Sequence, residues 1–332
     1  MNAYTLYGVN PSPYSVKMRA ILRYRRIPFV WNGVGNPRDV AMINHLPPVI
    51  PVLKFPDGRV MNDSTPLAYA LEREHSERSI VPTDPAQAYL SDLLEDFGDE
   101  WVTKIMFHYR WYYEADRAFA QDWVISSRDP QMAKPARDAA KKLFNDRQVG
   151  RMAMVGCTEQ NRPILEDSYR LILDTLDRHF RVAPFLFGTR PSLADFGLYG
   201  QLQILSVDPT PEAEMRRRAI DVYCWLLRLD DASGVEGGWA DPAAPVPETV
   251  KDLLAHCGAT YMPFLAANLK ALQDGKEEMS VEIGGRLYAQ QPFRYQAKCF
   301  DVLCNKLAVL GPDTRKRLDP VLEEAGCLKY LA

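Results

Sequence analysis

Residues 49–62, VIPVLKFPDGRVMN, set two short apolar runs on either side of Pro56-Asp57-Gly58. Proline followed by Asp-Gly between such runs spells a tight turn, so this stretch folds back on itself as a β-hairpin. Its neighbours supply the rest of a small layered unit. Residues 3–7, AYTLY, alternate weakly and end at Gly8, the pattern of a short strand. VKMRAILRYRR then places apolar residues at 16, 18, 21 and 22 among basic ones, which is helical spacing. IPFVWNGV reads as a second strand. Beyond the hairpin, Asp63 and Ser64 are capping residues, and Pro66 suits the first turn of a helix running to about His75.

The order β-α-β, hairpin, α across residues 3–75 is that of a thioredoxin-like domain. From about Pro85 the strand pattern stops. Residues 86–118 and 161–181 read as long amphipathic helices, and Ser192 with Asp195 has the spacing of a capping box. FGLYGQLQIL follows as a helix apolar on every side. A further helix spans 212–229, with Arg216, Arg217 and Arg218 on a solvated face. Residues 231–247, rich in Gly, Pro and Ala, form a loop, and 248–332 hold more helices around a short hairpin at EIGGRLYAQQPF. The expected fold is an α/β N-terminal thioredoxin-like domain followed by a larger all-α domain. The expected division is 1–80, 86–230 and a mostly helical extension at 245–332, consistent with a length of 332 residues.

Forty Lys and Arg against 43 Asp and Glu leave a net charge of −3, so no global basic field exists for nucleic acid or an anionic membrane. No apolar run is long enough to span a bilayer, and MNAYTLYGVN is unlike a secretory signal. The six cysteines form no CxxC pair and have no histidine cluster beside them, which argues against zinc. They read as reduced, mostly buried thiols of a cytoplasmic protein.

Chemistry concentrates at the first helix. Ser12-Pro13-Tyr14-Ser15 lies at a strand-to-helix turn, where free N–H groups and a partial positive charge favour an anion. A cysteine there would have a lowered pKa. Serine cannot exchange disulfides, but it can donate a hydrogen bond to a thiolate brought by a ligand. On the residues alone, Ser12 is either a helix cap or such a donor.

Three motifs resemble the glutathione transferase superfamily: NPSPYSVKMRAIL at 10–22, VIPVLKFPDGRVMNDSTPLAYAL at 49–71 and FGTRPSLADFGLYGQL at 187–202. The first is similar to the active-site segment of serine-type members such as the tau and zeta classes. It is also similar to the Cys-Pro-Tyr-Cys of glutaredoxins with both cysteines replaced. The resemblance covers roughly residues 3–230 and does not reach the last 85 or so.

The resemblance implies that Ser12 hydrogen-bonds the glutathione sulfur, with Ser15 and Tyr7 ranked behind it. It implies a cis Pro51, and backbone pairing between Ile50 and the cysteinyl unit. Asp63 and Ser64 would hold the γ-glutamyl group by its ammonium and carboxylate. Two departures stand out. Asp63 replaces the commoner glutamate, and Pro48 and Val49 stand where many relatives place a lysine for the glycyl carboxylate. Arg38 and His45 are the candidates to replace that lysine.

The family's second substrate, a small-molecule electrophile, would lie between the domains. The segment 101–113 is dense in aromatic residues, most of them core or interface. Tyr109 and Tyr113, one turn apart, are expected to face the cleft, with Tyr14 an alternative hydroxyl donor. The implied protein is a cytoplasmic, homodimeric glutathione S-transferase acting on an apolar or aromatic electrophile, with glutathione as co-substrate and no metal. The alternative is a non-catalytic binding or scaffold protein on the same fold. A glutaredoxin-like reductase is disfavoured by serine at both 12 and 15.

Overall fold

Tyr4 and Leu6 of the first strand point into the core, and the two residues between and after them are half-buried. In the computed structural model, which describes residues 3–331, this strand, β1 (Tyr4–Tyr7), is central. It pairs in parallel with β2 (Phe29–Asn32) and antiparallel with β3 (Val52–Lys54), which pairs with β4 (Val60–Asn62). The sheet order is β2-β1-β3-β4. The β3–β4 turn needs Gly58, whose φ of 94° suits a residue without Cβ. Helices α1 (Pro13–Tyr24) and, later in the chain, α3 (Ser64–Glu74) pack on each other and share one core with Leu6 and Leu53.

Between them lies α2 (Pro37–Ile43), a helix that the sequence pattern did not announce. Only Pro37 and Ala41 of it are buried, so it has no apolar stripe; Asn36 caps it by accepting from the Arg38 N–H. The expected helix 86–118 is interrupted twice. It comprises α4 (Pro85–Phe97), a π-helical turn (Gly98–Val102) and α5 (Thr103–Tyr112). An extended Tyr113 then redirects the chain into α6 (Glu114–Arg128). Next comes α7 (Lys134–Val149), which buries no residue fully and so offers no core-facing pattern.

Helix α8 (Arg162–Phe180) matches expectation, as does α9 (Leu193–Leu205) with its capping box: Asp195 accepts from the Ser192 N–H at 2.8 Å. The expected helix 212–229 is two helices, α10 (Pro209–Arg218) and α11 (Ile220–Asp230), because Ala219 leaves helical geometry with φ −143° and ψ 62°. Its three arginines pair at the surface with Glu212, Glu214 and Asp174.

Helix α9 is the pin on which the two regions meet. A Cβ on Gly200 would lie 2.8 Å from the Pro13 carbonyl oxygen, and one on Gly197 would lie 2.9 Å from Glu95 Cα. Two missing side chains thus let α9 press against α1 on one side and α4 on the other.

The rest of the chain is α12 (Glu248–Gln273), the hairpin β5 (Met279–Ile283) and β6 (Arg286–Gln290), then α13 (Arg294–Ala308), α14 (Pro312–Glu324) and α15 (Leu328–Leu331). Helices α12, α13 and α14 all pack on α4. All six cysteines are free; Cys157, Cys257 and Cys327 are buried, Cys299 and Cys304 are half-buried and Cys224 is exposed. No helix among the described residues is long and apolar enough to cross a membrane.

A buried polar chain ties α12 to the π-turn. Trp101 Nε1 donates to Ser168 Oγ at 2.9 Å, and Ser168 Oγ lies 2.6 Å from His256 Nε2. With its own proton free, Ser168 donates to a neutral imidazole. Burial pushes His256 down to about 4. A histidine so depressed favours folding fully above its unfolded pKa of about 6.5, and that contribution is lost as pH falls through 4. At about 1.4 kcal/mol per pH unit, the loss reaches about 3 kcal/mol. Urea titrations at pH 7 and pH 4 are expected to show the wild type losing about that much more stability than His256→Gln, whose side chain does not titrate.

Candidate functional site

A cleft runs between the thioredoxin-like sheet and the helices that follow it, as two adjoining cavities. Both are lined by Tyr14, Val49, Ile50, Thr103 and Phe107. The larger, about 860 Å³, reaches from Asp63 and Ser64 to the wall formed by α13. The smaller, about 280 Å³, takes in Ser12, Arg38 and Pro48 and, across from them, Met106, Trp111, Arg128 and Phe144.

At the start of α1, Ser12 is the N-cap. Its Oγ accepts from the Ser15 N–H at 3.3 Å, which leaves the hydroxyl proton free to donate. Ser12 is 8% exposed and lines the smaller cavity. The Ile50–Pro51 peptide is cis, and Ile50 lies on both cavities.

The second rim of the cleft is the start of α3. Asp63 sits there with φ 74° and makes no cap with its side chain. Its Oδ2 instead accepts from the Tyr295 hydroxyl of α13 at 2.9 Å. Ser64 Oγ donates to Asp99 Oδ2 at 3.3 Å.

Behind this rim lies a buried charge cluster. Lys17 of α1 donates to Glu95 at 2.5 Å and to Asp99 at 2.6 Å, and Thr65 also donates to Glu95. Burial works against the Lys17 charge, but the two carboxylates outweigh it and hold the ammonium above its usual range. Asp99 lines the larger cavity, and its Oδ1 is buried without a hydrogen-bond partner. Two more carboxyls line that chamber. Burial pushes Asp96 up to about 7 and raises Glu100 well above the usual carboxylate range.

Several expected site residues lie elsewhere. Ser15 is fully buried and packs under Gly8, so its hydroxyl reaches neither cavity. Tyr7, half-buried at the end of β1, lines neither. Tyr14 lies in the cleft, but its hydroxyl donates to the Asp99 carbonyl oxygen at 3.0 Å; burial raises its pKa well above the ordinary phenol value.

Tyr109 and Tyr113 turn away from the cleft. Tyr109 is 3% exposed and packs edge-on against Tyr169 of α8, and Tyr113 donates to Glu166 at 2.6 Å. The helix phase explains this. Thr103, Met106, Phe107 and Arg110 form the cleft stripe of α5, and Ile105 and Tyr109 form the opposite, core stripe. A heptad reading of 103–113 separates the two stripes but does not say which meets the sheet.

Other cleft residues carried no sequence signal. Tyr295 and Gln296 come from the extension, and Arg128 ends α6; nothing in their local sequence marks them as neighbours of residues 12–64. Arg38 is on the cleft at the first turn of α2, whereas His45 lines neither cavity. Among the described residues no group of His, Cys, Asp and Glu side chains is arranged to hold a metal ion.

A four-stranded mixed sheet with a cis-proline at the cleft, followed by a mostly helical region, defines the class. Residues 6–79 match the family model described as "Glutathione S-transferase, N-terminal domain". That match places a glutathione S-transferase N-terminal domain at residues 6–79. A search of curated protein sequences gives no match.

Among solved structures, a tau class glutathione S-transferase from mango, Mangifera indica, is 21% identical, with 76% of this chain and 96% of that one covered and a TM-score of 0.41. A GST-like protein from Pseudomonas syringae is 16% identical over 75% of this chain and 78% of its own, with a TM-score of 0.47. A glutathione S-transferase from Methylobacterium radiotolerans, in complex with glutathione sulfonate, is 21% identical over 73% and 98%, with a TM-score of 0.43.

The charge cluster sets a test of what holds the cleft. Replacing Lys17 strands Glu95 and Asp99 in the interior. Lys17→Met is expected to cost about 3–5 kcal/mol by urea denaturation. Lys134→Met, which removes an exposed pair with Asp138, should cost less than about 0.5 kcal/mol.

Proposed function

We propose that the cleft binds glutathione and ionises its thiol for attack on an electrophile. The observation that carries this reading is Ser12. It caps α1, keeps a free hydroxyl proton and lines the same cavity as Ile50 beside the cis-proline. The order of groups along the cleft suits an extended tripeptide. Asp63, Ser64 and Asp99, which line the larger cavity, receive the γ-glutamyl ammonium and carboxylate. The Ile50 backbone receives the cysteinyl unit, and Arg38 receives the glycyl carboxylate in place of a lysine at 48 or 49.

The thiol gives its proton to solvent. The resulting thiolate rests against the Ser12 hydroxyl and the opening turn of α1, where N–H groups and the helix dipole favour negative charge. Its sulfur then forms a bond to the electrophilic carbon, and the leaving group departs with the bonding pair. Met106, Phe107, Trp111, Val124 and Phe144 supply an apolar wall for the second substrate. The rate gain comes from ionisation and proximity.

Calorimetric titration with glutathione, followed by a conjugation assay, tests the reading. Ser12→Ala removes a hydrogen bond to an anion worth about 1.5–3 kcal/mol. It should lower kcat/KM about 10–100-fold and raise the pKa of the bound thiol, read from thiolate ultraviolet absorbance, by about 1–2 pH units. No binding at millimolar glutathione, or a Ser12→Ala variant indistinguishable from wild type, would refute it.

A further inference from the structure

The smaller cavity that holds Ser12 is also lined by arginines. Arg38 of α2 and Arg128 at the end of α6 both line it. Arg151 lines the adjoining cavity, and Arg147 lies in the last turn of α7. No carboxylate pairs with any of these four among the described residues, in a chain where ion pairs are otherwise frequent. Asp39, which faces Arg128, accepts from Asn36 Nδ2 at 2.8 Å. Arg128 stacks on Phe144, with its guanidinium carbon 4.9 Å from the ring centre, and its Nε is buried without an acceptor.

Half-burial and mutual repulsion hold both Arg38 and Arg128 below the usual guanidinium value. Arg38 faces Arg147, Arg128 and Arg151, and Arg128 faces Arg147, with Asp39 offsetting part of that repulsion without pairing to it. Like charges gathered at a partly buried place, with an orphaned donor among them, are unfavourable until an anion joins them.

One glycyl carboxylate at Arg38 leaves the other three unanswered. The cavity that holds both Arg128 and Ser12 is walled also by Met106, Phe107, Trp111, Val124 and Phe144. From this juxtaposition we infer that the second substrate is itself an anion: an apolar, preferably aromatic, body carrying a carboxylate that Arg128 grips, with Arg147 and Arg151 adding charge. The planar fork of arginine suits a carboxylate bidentately, and the Phe144 ring fixes its plane. This inference rests on the transfer reading above and narrows its substrate class.

The test compares 4-chloro-3-nitrobenzoate with its methyl ester, which share a reacting carbon and differ in charge. In both, the glutathione sulfur bonds to the ring carbon and chloride leaves with the electron pair. The wild type should prefer the acid in kcat/KM. Arg128→Gln should lower the acid-to-ester ratio tenfold or more, chiefly through KM for the acid, and Arg128→Lys, which keeps the charge, should retain most of it. Calorimetric binding of 3-nitrobenzoate, which has no leaving group, supplies an arm that needs no turnover. It should be measurable with wild type and at least tenfold weaker with Arg128→Gln. If glutathione is not turned over but 3-nitrobenzoate binds in an Arg128-dependent way, the transfer reading fails and the anion site stands. If the ester is preferred by wild type, or if Arg128→Gln changes neither the ratio nor the binding, the anion site is overturned.

Discussion

The ammonium of Lys17, fully enclosed between Glu95 and Asp99, is the contact on which the cleft depends. It joins α1 of the sheet region to α4 and the π-turn of the helical region. Two carboxylates cannot stay ionised in that interior without it. The same cluster reaches the rim of the site, because Thr65 shares Glu95 and Ser64 shares Asp99. The distance across the cleft is therefore set by charge, and the packing of α9 is tuned to it. Gly197 and Gly200 let that helix approach α4 and α1 closely enough to brace the ion cluster from behind.

The parts of the fold that were legible in the sequence are those with a strong local period or a turn signal. The strands beginning at Tyr4, Phe29, Val52 and Val60, the Asp57-Gly58 turn, the Ser192–Asp195 cap and the late hairpin all carry such a signature. What was not legible lacked one. Helix α2 buries only Pro37 and Ala41, and α7 buries nothing fully, so neither shows a stripe. The breaks at Tyr113 and Ala219 are set by backbone angles that tertiary packing imposes on residues with no breaking tendency of their own.

The site follows the same division. Ser12, Ile50, Asp63 and Ser64 are placed on the cleft by elements whose local sequence is strongly patterned. Tyr109 and Tyr113 illustrate the limit. Their spacing reads as one helical face, yet Tyr109 lies on the side of α5 packed against α8 and Tyr113 falls in the extended break after it. Arg128 and Tyr295 arrive from distant segments, and charge or aromatic character alone does not single them out.

The hydrogen bond from Tyr295 to Asp63 joins positions 232 apart in the chain. It makes the far end of the polypeptide a wall of the chamber at the near end. Fraying of α13 and filling of the chamber are then alternatives drawn from one equilibrium: a guest lodged between the two surfaces withdraws population from the frayed state and so acts as a staple on the tail. Protection of the Arg294–Ala308 amides from solvent exchange becomes, in consequence, a remote gauge of occupancy at Asp63.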